Sequence, residues 1–361
     1  MGFLAAGEPE TRETLDVTIH ATSLVREYAG SDWYARPTLE NVDGVIVLIY
    51  YRSSNHIMND GELHIKFSGD YGATWSDEDK TLTGVSVTGF PMNPPELGAG
   101  EDCQEPWLMV APDGKLLLHM WKNDYATTAH GTWQSVSTDG GATWGTPTLI
   151  NFIGLSESNN LLVFATDDHF VYDGVIYAGA RMWTSAEAGN GKNILVKSAD
   201  NGATWTYVSD ISSFGTGTNE VGLEYLGNAR IVAVMRGFSP HTWISFSDDM
   251  GLTWAGLSMP DLEVSGRHRI WTLTHLRGEA SWWTDPVLIM CGFVFGRRTC
   301  VWVSRDSGAT WSHAAYLDNV IPDAGYSDMF WDSDLSQFVL LSYFGTQDTA
   351  SIKQYRFSIA L

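Results

Sequence analysis

The chain has 361 residues, with 43 acidic against 21 basic side chains and a formal net charge of -22 at neutral pH. That surplus argues against a nucleic-acid backbone or an anionic membrane as the main partner, although a local cluster of arginines can still hold a small acid. No apolar run approaches the roughly 20 residues of a membrane span, and the opening MGFLAAGEPETRET shows no signal peptide, so no membrane span is expected and the compartment stays open.

Taken in chain order, the elements are short strands. Leu15–His20 alternates as a first strand, and Pro37–Asn41 follows. A turn at Asp43-Gly44 then leads to VIVLIYY, and Glu62–Phe67 runs into Ser68-Gly-Asp70-Tyr-Gly72-Ala-Thr74-Trp75. The second unit repeats the grammar: Trp107–Val110, a turn at Asp113-Gly114, Lys115–Trp121, Thr132–Val136, then Ser137-Thr-Asp139-Gly-Gly141-Ala-Thr143-Trp144. Asp-Gly between β-rich runs is a hairpin signal. Further units begin near Asn160, Asn219 and Arg267. They run into Ser198-Ala-Asp200-Asn-Gly202-Ala-Thr204-Trp205, Ser247-Asp-Asp249-Met-Gly251-Leu-Thr253-Trp254 and Ser304-Arg-Asp306-Ser-Gly308-Ala-Thr310-Trp311. A last unit without the motif fits Ser327–Trp331, a turn near Asp332–Asp334, Phe338–Tyr343 and Ile352–Ser358.

A motif with five matching positions, found five times, marks a repeat architecture. Ser and Asp can bond turn amides, Gly supplies positive φ, and Trp buries a large face between neighbouring sheets. The motif resembles the Asp-box of sialidases and related propellers. The resemblance implies an all-β, six-bladed β-propeller with five Asp-box repeats, one domain over 1–361, closed by the strand near 15–20 joining the last blade. It also implies that the motif aspartates are structural. Cys103, Cys291 and Cys300 are an odd set; Cys291 and Cys300 flank a turn at Gly296-Arg297 and are expected to face each other as unoxidised core thiols.

The starts of the inner strands line one end of a propeller channel. Reading them gives a polar ring: Arg36, Gln104-Glu105, Asp168-His169, Asn219-Glu220, Arg267-His268-Arg269 and Tyr326. Sialidases hold the substrate carboxylate with three arginines, attack with a tyrosine paired to a glutamate, and use an aspartate as acid/base. The segment from Asn219-Glu220 to Met235-Arg236 resembles one part of that pattern, and Ala324-Gly-Tyr326-Ser327 another. Arg298, 28 residues before Tyr326, resembles a further substrate arginine, with Arg297 beside it. Arg36-Pro37 resembles the family's Arg-Ile-Pro with the middle residue missing. That one-residue slip would turn Arg36 away from the channel unless a bulge restores it. Arg52 resembles an arginine lining the sugar site. Asp60, in Asn59-Asp60-Gly61, is the nearest match to the acid/base and equally an ordinary turn residue; His56 is the substitute.

The resemblance therefore implies a retaining exo-glycosidase acting on a glycan with a terminal sialic acid or related acidic sugar. Tyr326, Glu220 and Asp60 would be catalytic, and Arg36, Arg52, Arg236 and Arg298 would bind substrate. A phenol with a pKa near 10 needs a base such as Glu220 to become a nucleophile, and three guanidinium groups suit a carboxylate. Trp33, Trp121, Trp183 and Trp243 offer stacking faces. No zinc signature, phosphate loop or nucleotide fingerprint appears, so no metal or cofactor is expected. The alternatives are a hydrolase or lyase for another anionic glycan using His169, His268 or Tyr326, a non-catalytic glycan-binding module, and a purely structural propeller.

Overall fold

A computed structural model describes residues 16–27, 32–54, 60–91, 102–123, 131–156, 158, 163–183, 191–213, 217–237, 242–259, 262, 264–273, 286–294, 298–318, 323–346 and 349–360. Its named elements are all β-strands. Among the described residues, no helix is long and apolar enough to cross a membrane.

The strands are laid out as successive antiparallel meanders. After β1 (Asp16–Arg26) come β2 (Trp33–Val42), β3 (Val45–Ser53) and β4 (Glu62–Ser68). The next sheet holds β5 (Asp102–Val110), β6 (Leu116–Asn123), β7 (Thr132–Ser137) and β8 (Thr148–Leu149). A short β9 (Phe152–Ile153) pairs in parallel with the outer strand of the group β10 (Val163–Tyr172), β11 (Val175–Trp183), β12 (Gly191–Ser198) and β13 (Trp205–Asp210). Two more four-stranded sheets follow: β14 (Thr218–Gly227), β15 (Arg230–Gly237), β16 (Thr242–Ser247), β17 (Ala255–Met259), then β18 (Ser265–Thr272), β19 (Leu288–Val294), β20 (Arg298–Ser304), β21 (Ser312–Tyr316). The chain closes with β22 (Asp323–Asp332), β23 (Gln337–Gly345) and β24 (Ala350–Ala360), and β1 pairs antiparallel with β24.

The arrangement is a β-propeller: inner strands β2, β5, β10, β14, β18 and β22 neighbour one another in that cyclic order. The sequence leads one to expect six separate sheets. Hydrogen bonding instead isolates four, and fuses β22-β23-β24 with β2-β3-β4 into one sheet that also carries β1. The fusion rests on a single parallel pair, Trp33 with Ala350. The core lies between the sheets, with Trp33, Trp107 and Trp205 among its largest fully buried side chains.

One expectation needs correction. Cys291 and Cys300 do not face each other: Cys291 is opposite Val301 and Cys300 opposite Gly292. A one-residue offset puts them on opposite faces of the sheet, in different core clusters, and all three cysteines are free and buried. The turns at Asp43-Gly44 and Asp113-Gly114 both close antiparallel hairpins, by loops of different length. Asp43 and Gly44 both have positive φ, whereas at the second only Gly114 does; there Ala111 and Lys115 close a longer loop.

In all five motifs the same bonds recur. In the first, Ser68 Oγ accepts from Gly72 N at 2.7 Å and donates to Asp70 Oδ1, while Asp70 accepts from Thr74 N and Thr74 Oγ1. Asp139, Asp200, Asp249 and Asp306 repeat this. Each glycine also sits against the preceding blade. A Cβ on Gly251, at φ +81°, would lie 2.1 Å from Cδ2 of fully buried Leu195. Gly251→Ala is therefore expected to cost about 2 to 4 kcal/mol, from left-handed strain plus overpacking. Urea unfolding reads it; a change under about 0.5 kcal/mol would mean that the turn does not press on its neighbour.

Candidate active site

Each of the six inner strands carries a register shift near its start: between Ala35 and Thr38, Gln104 and Trp107, Thr166 and His169, Thr218 and Val221, Ser265 and Arg269, and Ala324 and Ser327. A bulge re-aims the side chains at its extra residue, here at one end of the ring. Arg36 and Glu105 are the left-handed members, φ 52° each, and both precede proline, which has no N–H to leave unpaired where the ladder is broken. The bulge that the missing residue demands is thus present, and Arg36 is carried toward the next blade. Its Nη1 donates to Gln104 Oε1 at 2.6 Å, and its Nε lies 3.4 Å from Glu105 Oε1.

Tyr326, half-buried, donates its hydroxyl proton to Glu220 Oε1 at 2.8 Å. The approach is close: a Cβ on the preceding Gly325 would lie 1.7 Å from the Tyr343 ring. Arg236 Nη1 bonds both oxygens of Glu220, at 3.1 and 2.9 Å. β14 supplies Glu220 at its bulge, and β15 returns Arg236 to the same end of the sheet. Tyr326, Glu220, Arg236 and Arg36 therefore meet, although they come from distant parts of the chain.

A third cation completes the cluster, and the sequence reading missed it. Arg181, near the end of β11, lies 3.2 Å from Glu105 Oε2, 3.2 Å from Asp167 Oδ2 and 3.7 Å from Glu220 Oε1, and donates to Asn219 Oδ1. Arg298 is not brought here. Its guanidinium lies over the Tyr316 ring on the outermost strand, 4.6 Å from the centroid, and Arg297 lies outside the described residues.

Arg52 and Asp60 stay at the rim of the same end, since β3 ends opposite the start of β2. Arg52 pairs with Asp32 and Glu62, both at 3.2 Å. Exposed Asp60 accepts the Ser54 amide at 3.2 Å, a turn contact. His56 lies outside the described residues. Trp33 is core, its Nε1 donating to Thr346 O; Trp121, Trp183 and Trp243 are half-buried.

The other ring residues hold the axis together. Asp168 accepts from the Leu223 and Ile270 amides, and Asp328 from Leu39 N and Thr38 Oγ1, stapling neighbouring inner strands. His169 accepts from Trp107 Nε1, and His268 Nε2 lies 3.1 Å from Gly222 N. Both are buried packing groups.

Burial alone would raise the Glu220 carboxyl, but the Arg236 and Arg181 guanidiniums and the Tyr326 hydroxyl more than offset it and bring it down to about 2. Burial, Glu105 and Glu220 push the Tyr326 phenol well above its ordinary value. At neutral pH the resting pair is thus a neutral phenol donating to a carboxylate. The motif aspartates are also held low; for Asp70, burial opposes and the Thr74 and Ser68 bonds win.

These depressed carboxyls act in one direction on stability. Their contribution is fully present above the unfolded values near 4.5 and 3.8 and is lost as pH falls through the folded values. Glu220 alone would supply on the order of 3 kcal/mol. The urea midpoint is expected to drop steeply between pH 4.5 and 2; a flat midpoint from pH 5 to pH 3 would contradict the clamp.

A profile of the BNR repeat-like domain matches residues 96–337. No curated protein matches the chain in sequence. Among solved structures, a protein of unknown function from Dyadobacter fermentans superposes with a TM-score of 0.74 at 17% identity, over 95% of this chain and 99% of that one. Trypanosoma rangeli sialidase superposes with a TM-score of 0.66 at 17% identity, over 90% of this chain and 54% of its own. For a Hadza microbial sialidase the values are 0.66 and 17%, over 91% and 65%. Identities this low carry the fold alone.

Proposed function

Because the chain belongs to the BNR repeat-like domain family, within the sialidase-type propellers, we propose that it is a single six-bladed propeller working as a retaining exo-glycosidase on a terminal acidic sugar. The blade count treats the fused sheet as two blades, whose strands, among the described residues, pair with each other at Trp33 and Ala350 alone. The observation that carries the activity is the Tyr326–Glu220 contact at 2.8 Å, clamped by Arg236 at the mouth of the channel.

In this reading the phenol oxygen of Tyr326 attacks the anomeric carbon as its proton passes to Glu220. Asp60 protonates the leaving oxygen, then takes a proton from the water that hydrolyses the glycosyl-tyrosine, giving retention. Arg36, Arg181 and Arg236 supply the cationic wall, with Arg181 in the part that the family resemblance implies for Arg298, and Arg52 lines the rim. The resting carboxylate is a weak base while Arg236 holds it. A substrate carboxylate drawing Arg236 away would raise Glu220, so the carboxylate becomes a stronger base when the ligand it serves is bound. Release of 4-methylumbelliferone from its α-sialoside tests the reading; no turnover by folded wild type would sink it.

One observation favours a second reading, a glycosidase for a sugar with a smaller demand for cations. Among the described residues of the cluster, the three guanidiniums of Arg36, Arg181 and Arg236 face three carboxylates, Glu105, Asp167 and Glu220. Only Arg236, its side chain 24% exposed, is open to solvent; Arg36 and Arg181 are at 5% and 3%. A neutral glycoside with the same leaving group, turned over faster than the sialoside, would select this reading.

A further inference from the structure

On the outer side of the first blade, away from the Tyr326 cluster, three potential ligand atoms lie within 4.8 Å of one another, from His64, Glu78 and Asp79. His64 stands on β4; Glu78 and Asp79 follow the first Ser-Asp-Gly-Trp turn. We propose that these three side chains form a binding site for a divalent first-row transition ion, with Zn2+ the best fit, that pins the outer edge of the first blade.

The arrangement of hydrogen bonds argues for it. His64 Nε2 lies 3.1 Å from Glu62 Oε1, where an N–H on Nε2 would donate to that carboxylate. The other nitrogen, Nδ1, lies 2.9 Å from Asp79 Oδ2 and 3.7 Å from Glu78 Oε1. With Nε2 as donor, a lone pair on Nδ1 would point at two anionic oxygens, which is repulsive unless a positive species lies between them. A proton serves one acceptor at a time, whereas a cation serves both. The spacings also fit: ligands at about 2.0 to 2.1 Å around a tetrahedral zinc are roughly 3.3 Å apart, and 2.9 and 3.7 Å bracket that edge.

Each ligand is held from behind, as metal ligands are. Glu62 fixes the His64 tautomer, and the Tyr50 ring stacks on the imidazole with centroids 5.8 Å apart. Asp79 turns its other oxygen to the Ile65 amide at 3.1 Å. Glu78 gives its Oε2 to the Tyr50 hydroxyl and to Arg26 Nε, leaving Oε1 toward His64. The nearby Lys66 ammonium donates to Ser76 O instead. His64 is buried, while the side chains of Glu78 and Asp79 are 21% and 25% exposed, so an ion and a completing water have access. A mixed imidazole and carboxylate set suits zinc better than calcium or magnesium, which prefer oxygen alone. The ion would tie residues 77–81 to β4, which the Asp79 amide meets at Ile65 O, 2.9 Å away.

The test is isothermal titration of EDTA-stripped, full-length protein with ZnCl2 and, separately, CaCl2. The site predicts one zinc equivalent with a raised melting temperature, and calcium at least tenfold weaker. Affinity should fall at least tenfold in His64→Asn and again in Glu78→Gln, which keeps the side chain's shape and an oxygen able to accept the Tyr50 hydroxyl. Absence of zinc binding, calcium binding as tight as zinc, or zinc affinity unchanged in folded Glu78→Gln would each overturn the proposal, leaving an imidazolium among carboxylates.

Discussion

Tyr326→Phe is expected to lower kcat for an activated sialoside by about a thousandfold or more while the protein stays folded, because the change removes one oxygen and nothing else. Among the described residues of the cluster, the phenol alone is both nucleophilic in type and hydrogen-bonded to a carboxylate able to take its proton. Removing a nucleophile that acts as a unit with its base costs most of the chemical step, so Glu220→Gln should fall nearly as far and the double change little further. Substrate affinity should survive in Tyr326→Phe, since Arg236 and Arg36 remain. Equal turnover by wild type and variant would remove Tyr326 from the chemistry and pass the bond-making step to another residue.

Arg181→Met is expected to have the largest effect on stability, about 3 to 5 kcal/mol. Arg181 is 3% exposed and faces Asp167, Glu105 and Glu220, whose side chains are no more than 4% exposed. Removing the cation leaves buried carboxylates with too little compensation, the case in which a broken buried ion pair is most damaging. The loss should shrink at low pH as the carboxyls protonate. A thermal or urea unfolding series of wild type and variant at pH 7 and pH 4 measures both. A loss under about 1 kcal/mol at pH 7 would mean that Arg181 does not hold the cluster together.

The propeller was legible because its decisive signal is local. Ser68, Asp70, Gly72 and Thr74 bond to one another within seven residues, and the turn recurs with the same spacing. The site was legible only in part, for the opposite reason: its contacts are between blades. Tyr326, Glu220 and Arg236 could be placed through family resemblance, and the need for a bulge at Arg36-Pro37 followed from strand alternation. Arg181 carried no motif. Its one signal was a charge inside the apolar run VIYAGARMW, which buries well only beside anions, and Glu105 and Asp167 lie too far away in sequence to be paired with it. His64 with Glu78 and Asp79 follows no ligand spacing either, because the strand and the turn after it bring them together. The cysteine pair failed by a single residue of register, a quantity that turn length fixes and composition does not.

The central claim is that the Tyr326 oxygen forms a bond to the sugar. Intact-mass and peptide mapping after incubation with 2,3-difluorosialic acid, the compound that traps a covalent intermediate on Trypanosoma rangeli sialidase, tests it directly. One glycosyl adduct is expected on the peptide holding Tyr326, absent from Tyr326→Phe. An adduct on another residue, or no adduct on protein that still hydrolyses the sialoside, would contradict it.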